Sequence, residues 1–174
     1  ELRAHGFPED ARRIAVEAAD WYAGLPGAES DTAISRWNRL ECLWMAERWD
    51  EAAPLAEAFA ERQVEPEWAV HAKGLQAALA ARRGDQAWAG AADRELQAVA
   101  EGRALGDALF WRAAIAAQLG NRDAAVERLR SALAHGFVHT DWIHTYAFLE
   151  PLHGYPSFEA LLGPRAETAP RTTS

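Results

Sequence analysis

Six histidines and a single cysteine are the side chains of this 174-residue chain most suited to holding a metal or attacking a substrate. Four of the histidines, His135, His139, His144 and His153, crowd into one C-terminal stretch. Zinc requires three or four ligands converging at about 2.0–2.1 Å. Gly136 breaks the helical register between His135 and His139, so their four-residue spacing does not set them on one helix face. They read instead as helix-terminal and cap-packing residues, with His135 favourably placed at a helix C-terminus, and no metal is expected. Cys42 lies among Leu40, Leu43, Trp44 and Met45, where a thiol is a small core side chain rather than a nucleophile, and alone it forms no internal disulfide. The paired carboxylates Glu9 with Asp10 and Asp50 with Glu51 stand at predicted helix starts, where the helix dipole accounts for them without acid–base chemistry. There is no glycine-rich phosphate or dinucleotide loop, no Gly-x-Ser-x-Gly elbow and no His-Glu-x-x-His. Neither an enzyme nor a cofactor is expected.

Composition points the same way. A content of 49% hydrophobic and 25% charged residues is that of a folded domain with a core. The net charge of −8 and the single lysine, Lys73, argue against nucleic acid, whose phosphates call for clustered cations. The arginines are scattered among glutamates at helical spacing, as on a solvated, ion-paired surface. No apolar stretch is long enough to span a membrane, and no signal-peptide pattern is present. The compartment is not written in these residues, with the cytoplasm slightly favoured over an extracytoplasmic setting that an upstream membrane span would give.

The elements that must carry any binding residues recur. Ala113-Ala114-Ile115-Ala116-Ala117-Gln118-Leu119-Gly120-Asn121 repeats the form of Ala77-Ala78-Leu79-Ala80-Ala81-Arg82-Arg83-Gly84-Asp85, 36 residues earlier. A helical hairpin of this size cannot bury its apolar face alone and must stack on its neighbours. Gly6-Phe7-Pro8-Glu9-Asp10-Ala11 has the same turn form as Gly120-Asn121-Arg122-Asp123-Ala124-Ala125, so residues 1–27 read as a partial repeat whose first helix is missing. The chain is therefore expected to be the C-terminal piece of a longer protein. Full helix pairs are expected at about 31–65, 66–102 and 106–136, with Ser30 or Asp31 capping the first helix. A capping segment follows over 137–163, then a disordered tail over 164–174. The fold expected is all-α, a right-handed α-solenoid of antiparallel helix pairs.

These units resemble the tetratricopeptide repeat: small residues close to the turn glycines, then a second helix presenting Ala125, Leu129 and Ala132. Trp49-Asp50-Glu51-Ala52 matches the family's second-helix start, although Glu47 replaces the turn glycine. The tail, Trp142 to Leu152 followed by Tyr155-Pro156-Ser157-Phe158-Glu159-Ala160-Leu161-Leu162, resembles the closing segment of tetratricopeptide regions in large bacterial signalling proteins with kinase, adenylate-cyclase, TolB-like or winged-helix domains. Tyr146-Ala147 stands there in place of the usual Asp-Pro, and His153 near the usual arginine.

The resemblance implies non-catalytic protein–protein interaction, with a peptide or partner domain on the concave face lined by the first helix of each pair. Counting back from the turns nominates Trp37, Glu41, Trp44, His71, Gly74, Arg82, Asp107, Phe110 and Gln118. The aromatic ones among them, Trp37, Trp44 and Phe110, are expected first as packing residues between hairpins, since aromatic side chains at helical spacing usually serve the core. The carboxylate clamp of chaperone-binding members is not expected, because one lysine and two asparagines cannot build it. Two alternatives remain: a homo-oligomer formed through the truncated N-terminal repeat, marked by an uncovered Trp21 and Tyr22, and a metal- or ligand-sensing module at the histidine-rich tail.

Overall fold

The computed structural model describes residues 2–3, 6–62, 66–99, 103–137 and 143–163. The expected tail, 164–174, and His139 lie outside them. Among the described residues the chain is all-helical: α1 (Pro8–Ala23), a single turn α2 (Gly27–Ser30), α3 (Ala33–Met45), α4 (Trp49–Arg62), α5 (Pro66–Arg82), α6 (Gln86–Gln97), α7 (Arg103–Gln118), α8 (Arg122–Ala134), a 3₁₀ segment (Ala147–Leu152) and α9 (Pro156–Leu162). Antiparallel neighbours pack in chain order, α3 on α4, α5 on α6 and α7 on α8, while α4 and α6 each bridge to the pair that follows.

The turns inside these pairs share one hydrogen-bond pattern. Arg48, Asp85 and Asn121 each donate a backbone N–H to the carbonyl five residues back, those of Leu43, Ala80 and Ala116, the six-to-one closure that ends a helix. Such a closure needs a left-handed residue. Gly84 and Gly120 supply it at φ 88° and 79°, and Glu47 is forced into it at φ 61°. A side chain in that region costs about 1–2 kcal/mol. The Glu47 carboxylate compensates in part by meeting the Arg3 guanidinium at 3.0 Å.

Helix starts are partly as expected. Asp85 caps α6 through the Trp88 N–H, and Pro8 opens α1, its missing N–H costing nothing in a first turn. At α3 the cap is Thr32, whose hydroxyl accepts from the Ser35 N–H, and not Ser30 or Asp31. Pro26 starts the extra turn α2, which uses Ser30, and Asp31 is drawn instead to Arg36 and Arg62.

The core is built where α5 meets α7. The two self-similar alanine blocks lie there, with Ala77, Ala78, Ala113 and Ala114 fully buried, because short side chains let two helices approach closely. Gly74 takes this to its limit: an added Cβ would lie 2.0 Å from Cγ of Trp111, so the indole lies directly across the α5 backbone. On the outer side Asp93 of α6 takes Arg112 of α7 at 3.0 Å and Arg128 of α8 at 3.1 Å, fastening three helices at one half-buried carboxylate.

The C-terminal segment does more than cover the last pair. While α9 rests on α8 and buries Phe158, the 3₁₀ segment packs on α7. From it Phe148 enters between Trp44 of α3, 4.8 Å between centroids, and Trp111 of α7, at 5.0 Å. Arg3 then reaches Glu150 with two 2.8 Å hydrogen bonds.

Candidate partner-binding face

The nominated residues come from three helices. On α3, Trp37, Glu41 and Trp44 recur at helical spacing; His71, Gly74 and Arg82 stand on α5, and Asp107, Phe110 and Gln118 on α7. Seven of the eight nominated side chains are drawn inward to some degree. Trp44 and Phe110 are buried packing residues, Trp44 against Phe148 and Phe110 stacked on Phe137 at 4.5 Å. Gln118 donates to the Phe148 carbonyl at 2.8 Å, while its own oxygen is buried without a partner. Arg82 stays exposed at the end of α5, its guanidinium 4.6 Å from the Trp49 ring. One end of the face, around Trp44 and Gln118, is therefore filled by the chain's own C-terminal segment.

The other end is open in part and differs in chemistry. Trp37 is half-buried, with Phe59, Trp68, His71 and Trp111 all at 5.8–6.0 Å in tilted or edge-to-face arrangements favoured by ring quadrupoles. The Trp111 Nε1–H donates to Nδ1 of His71 at 3.0 Å. An indole nitrogen can only donate, so the neutral imidazole carries its proton on Nε2, which faces Oδ2 of Asp107 at 3.7 Å. Asp107 is 6% exposed.

Glu41 stands on the same face, largely buried. Loss of solvent raises its carboxyl from an ordinary 4.5 to about 7, and a hydrogen bond from Trp37 works in the opposite direction. Tyr146, just before the 3₁₀ segment, feels both acids. Burial, then Glu41, then Asp107 push its phenol up to about 12, so the hydroxyl stays a neutral donor. The neighbouring Cys42 thiol is also raised, by burial and by Glu41, the opposite of what activates a nucleophile.

Counting from the turns did not find Tyr146, Trp111 or Phe148. Trp111 follows a nominated residue, and its signal was the small partner Gly74 on the facing helix. Tyr146 and Phe148 arrive from a segment with no repeat register to count by. A second concavity was also missed: a cleft of about 780 Å³ between α4, α5 and α6, walled by Ala53, Ala60, Ala69 and Ala80. Trp88 stands at its edge, and Lys73 there is already paired with Glu95 at 2.7 Å. Among the tail histidines, His135 meets its own helix's Ser131 carbonyl at 2.8 Å and His153 lies 6.0 Å from Phe158. Among the described residues no three His, Cys, Asp or Glu are grouped to hold a metal, and no helix is long and apolar enough to cross a membrane.

No family model, curated protein or solved structure matches the chain.

Proposed function

We propose that this chain is a protein–protein interaction domain of the tetratricopeptide type, a right-handed solenoid of helix pairs that receives a peptide or partner segment on the open end of the α3/α5/α7 face. The observation that carries the reading is the face itself. Three first helices of successive pairs bring Trp37, Glu41, His71 and Asp107 together beside a packed, preorganised core, and Trp37 and His71 there keep part of their surface accessible. Preorganisation lowers the ordering cost of binding, and half-exposed aromatic side chains are the usual anchors of an interface. The domain would serve as the C-terminal part of a larger bacterial signalling or regulatory protein, with the partner's capture its only task.

Selecting peptides from a displayed random library and mapping the winners by tryptophan indole N–H shifts tests this. Micromolar binders that move the Trp37 and Trp111 signals support it; binders that move only Trp88, at the α4/α5/α6 cleft, or none at all, sink it.

Self-association is a second reading favoured by a separate observation. The outer side of α1 exposes Phe7, Ile14 and Trp21, the last at 62%, at seven-residue spacing, a seam a second helix could cover. Tyr22 does not belong to it, since its hydroxyl accepts from Asn38. A dimer in sedimentation that Trp21→Glu converts to a monomer would support this reading, and a monomer at all concentrations would remove it.

A further inference from the structure

The cleft between α4, α5 and α6 is built differently from the inner face. Ala53 and Ala60 of α4 and Ala69 and Ala80 of α5 wall it, and side chains this short let a third body approach the two helices closely. The part of α5 that lines it runs from Ala69 to Arg83, a span of about 21 Å at the helical rise, so its volume of about 780 Å³ is drawn out along the helices. An extended peptide laid there would leave its own backbone groups unpaired, because those of the flanking helices are bonded within each helix. A helix brings its backbone bonds with it and presents a ridge of side chains, which the groove between two helices accepts. Trp88, 39% exposed, stands at the edge as an aromatic anchor.

The walls differ in charge. Glu57 and Glu61 stand one turn apart on α4, both exposed. The α5 wall carries Lys73 and Arg83, each turned to a carboxylate beyond the lining, Lys73 to Glu95 at 2.7 Å and Arg83 to Asp50 at 3.3 Å. Among the described lining residues the α4 edge is therefore the acidic one. We propose that the cleft receives an amphipathic helix of a partner protein, about four turns long, with its apolar ridge on the alanine walls and Trp88 and with lysines or arginines four residues apart along the edge that faces Glu57 and Glu61. The edge beside Lys73 and Arg83 is uncharged or acidic. Charges at such a rim govern orientation and the rate of encounter more than affinity, so the basic edge sets which way the helix lies, while the alanine walls and Trp88 hold it. This surface is separate from the inner face, and the two readings stand or fall by different indoles.

The test uses a displayed library of 18-residue helical peptides on an alanine-rich host, with ridge positions varied among apolar residues and both edges among lysine, glutamate and glutamine, and binding to the full chain followed at the Trp88 indole N–H by NMR. Selected peptides should move Trp88 and carry lysine at four-residue spacing along one edge only. Against the protein with Glu57→Lys and Glu61→Lys, both at exposed positions, they should bind at least tenfold more weakly, and selection repeated on that variant should return glutamate on the same edge. Glu9→Lys with Glu17→Lys on α1 makes the same change in net charge outside the cleft and should alter binding less than twofold. Equal losses in the two double variants, selected edges without a charge preference, or no peptide that moves Trp88 overturns the proposal. A Trp88 signal that shifts with the concentration of the protein alone assigns the cleft to a second copy of the chain and overturns it as well. The inner-face reading fails separately, by the silence of Trp37 and Trp111.

Discussion

At the scale of single residues, Glu41 carries the clearest conflict between folding and chemistry. Its carboxyl is near 4.5 in the unfolded chain and about 7 in the folded one, so the folded state holds the proton more tightly. Below pH 4.5 both states are protonated and Glu41 costs nothing. Between 4.5 and 7 the unfolded chain ionises first, stability falls as pH rises, and above 7 the cost is complete at on the order of 3 kcal/mol. Glu41→Gln should therefore match the parent in urea unfolding at pH 4 and exceed it in midpoint at pH 8. Equal midpoints at both pH values would show that the carboxylate is solvated after all. A residue retained against stability in this way is where a site is expected. Counting from the turns nominated Glu41 for the binding face; its burial could not be seen in the sequence, because that depends on how the other helices pack around it.

At the scale of elements, the contact between α5 and α7 has the least room. Trp111 lies across Gly74 so closely that Gly74→Ala must displace either the indole or a helix. Overpacking of this kind typically costs about 1–3 kcal/mol. The upper end is expected here, since the indole is held by Phe110, Phe148 and His71 together. Denaturant unfolding with unchanged slope and a lowered midpoint is the expected result; an unaltered midpoint would mean that the helices separate freely. Much at this scale was legible in the sequence. The alanine blocks set 36 residues apart announced helices in close approach, and Gly84 and Gly120 marked where the α5/α6 and α7/α8 pairs fold back. The cap of α3 was misplaced by one or two residues because Ser30, Asp31 and Thr32 are all competent caps, and the extra turn after Pro26 decided among them. Phe148 was unreadable for another reason: an insertion between α3 and α7 obeys no local period.

At the scale of the whole molecule, the placement of Phe148 changes how the pairs depend on one another. Helix pairs that touch only their sequence neighbours can lose structure one at a time from an end. Here the last segment grips α3 and α7 and, through Glu150, Arg3 as well, so the contacts that hold the early pair are made by residues about a hundred positions away. Thermal unfolding followed by far-ultraviolet circular dichroism and by tryptophan fluorescence should give coincident transitions. Phe148→Ala should separate them, with the α3 side melting first and an overall loss of about 3–5 kcal/mol. Coincident transitions in the variant would show that the segment merely covers α7.

An open row of helix pairs behaves as a spring that lengthens and twists under small loads. The aromatic wedge at Phe148 turns this one into a latched clasp. A partner arriving at the proposed face would thus meet a jaw whose width is fixed by a residue it does not touch, and loosening that latch would change grip strength at a distance without altering a single contact residue.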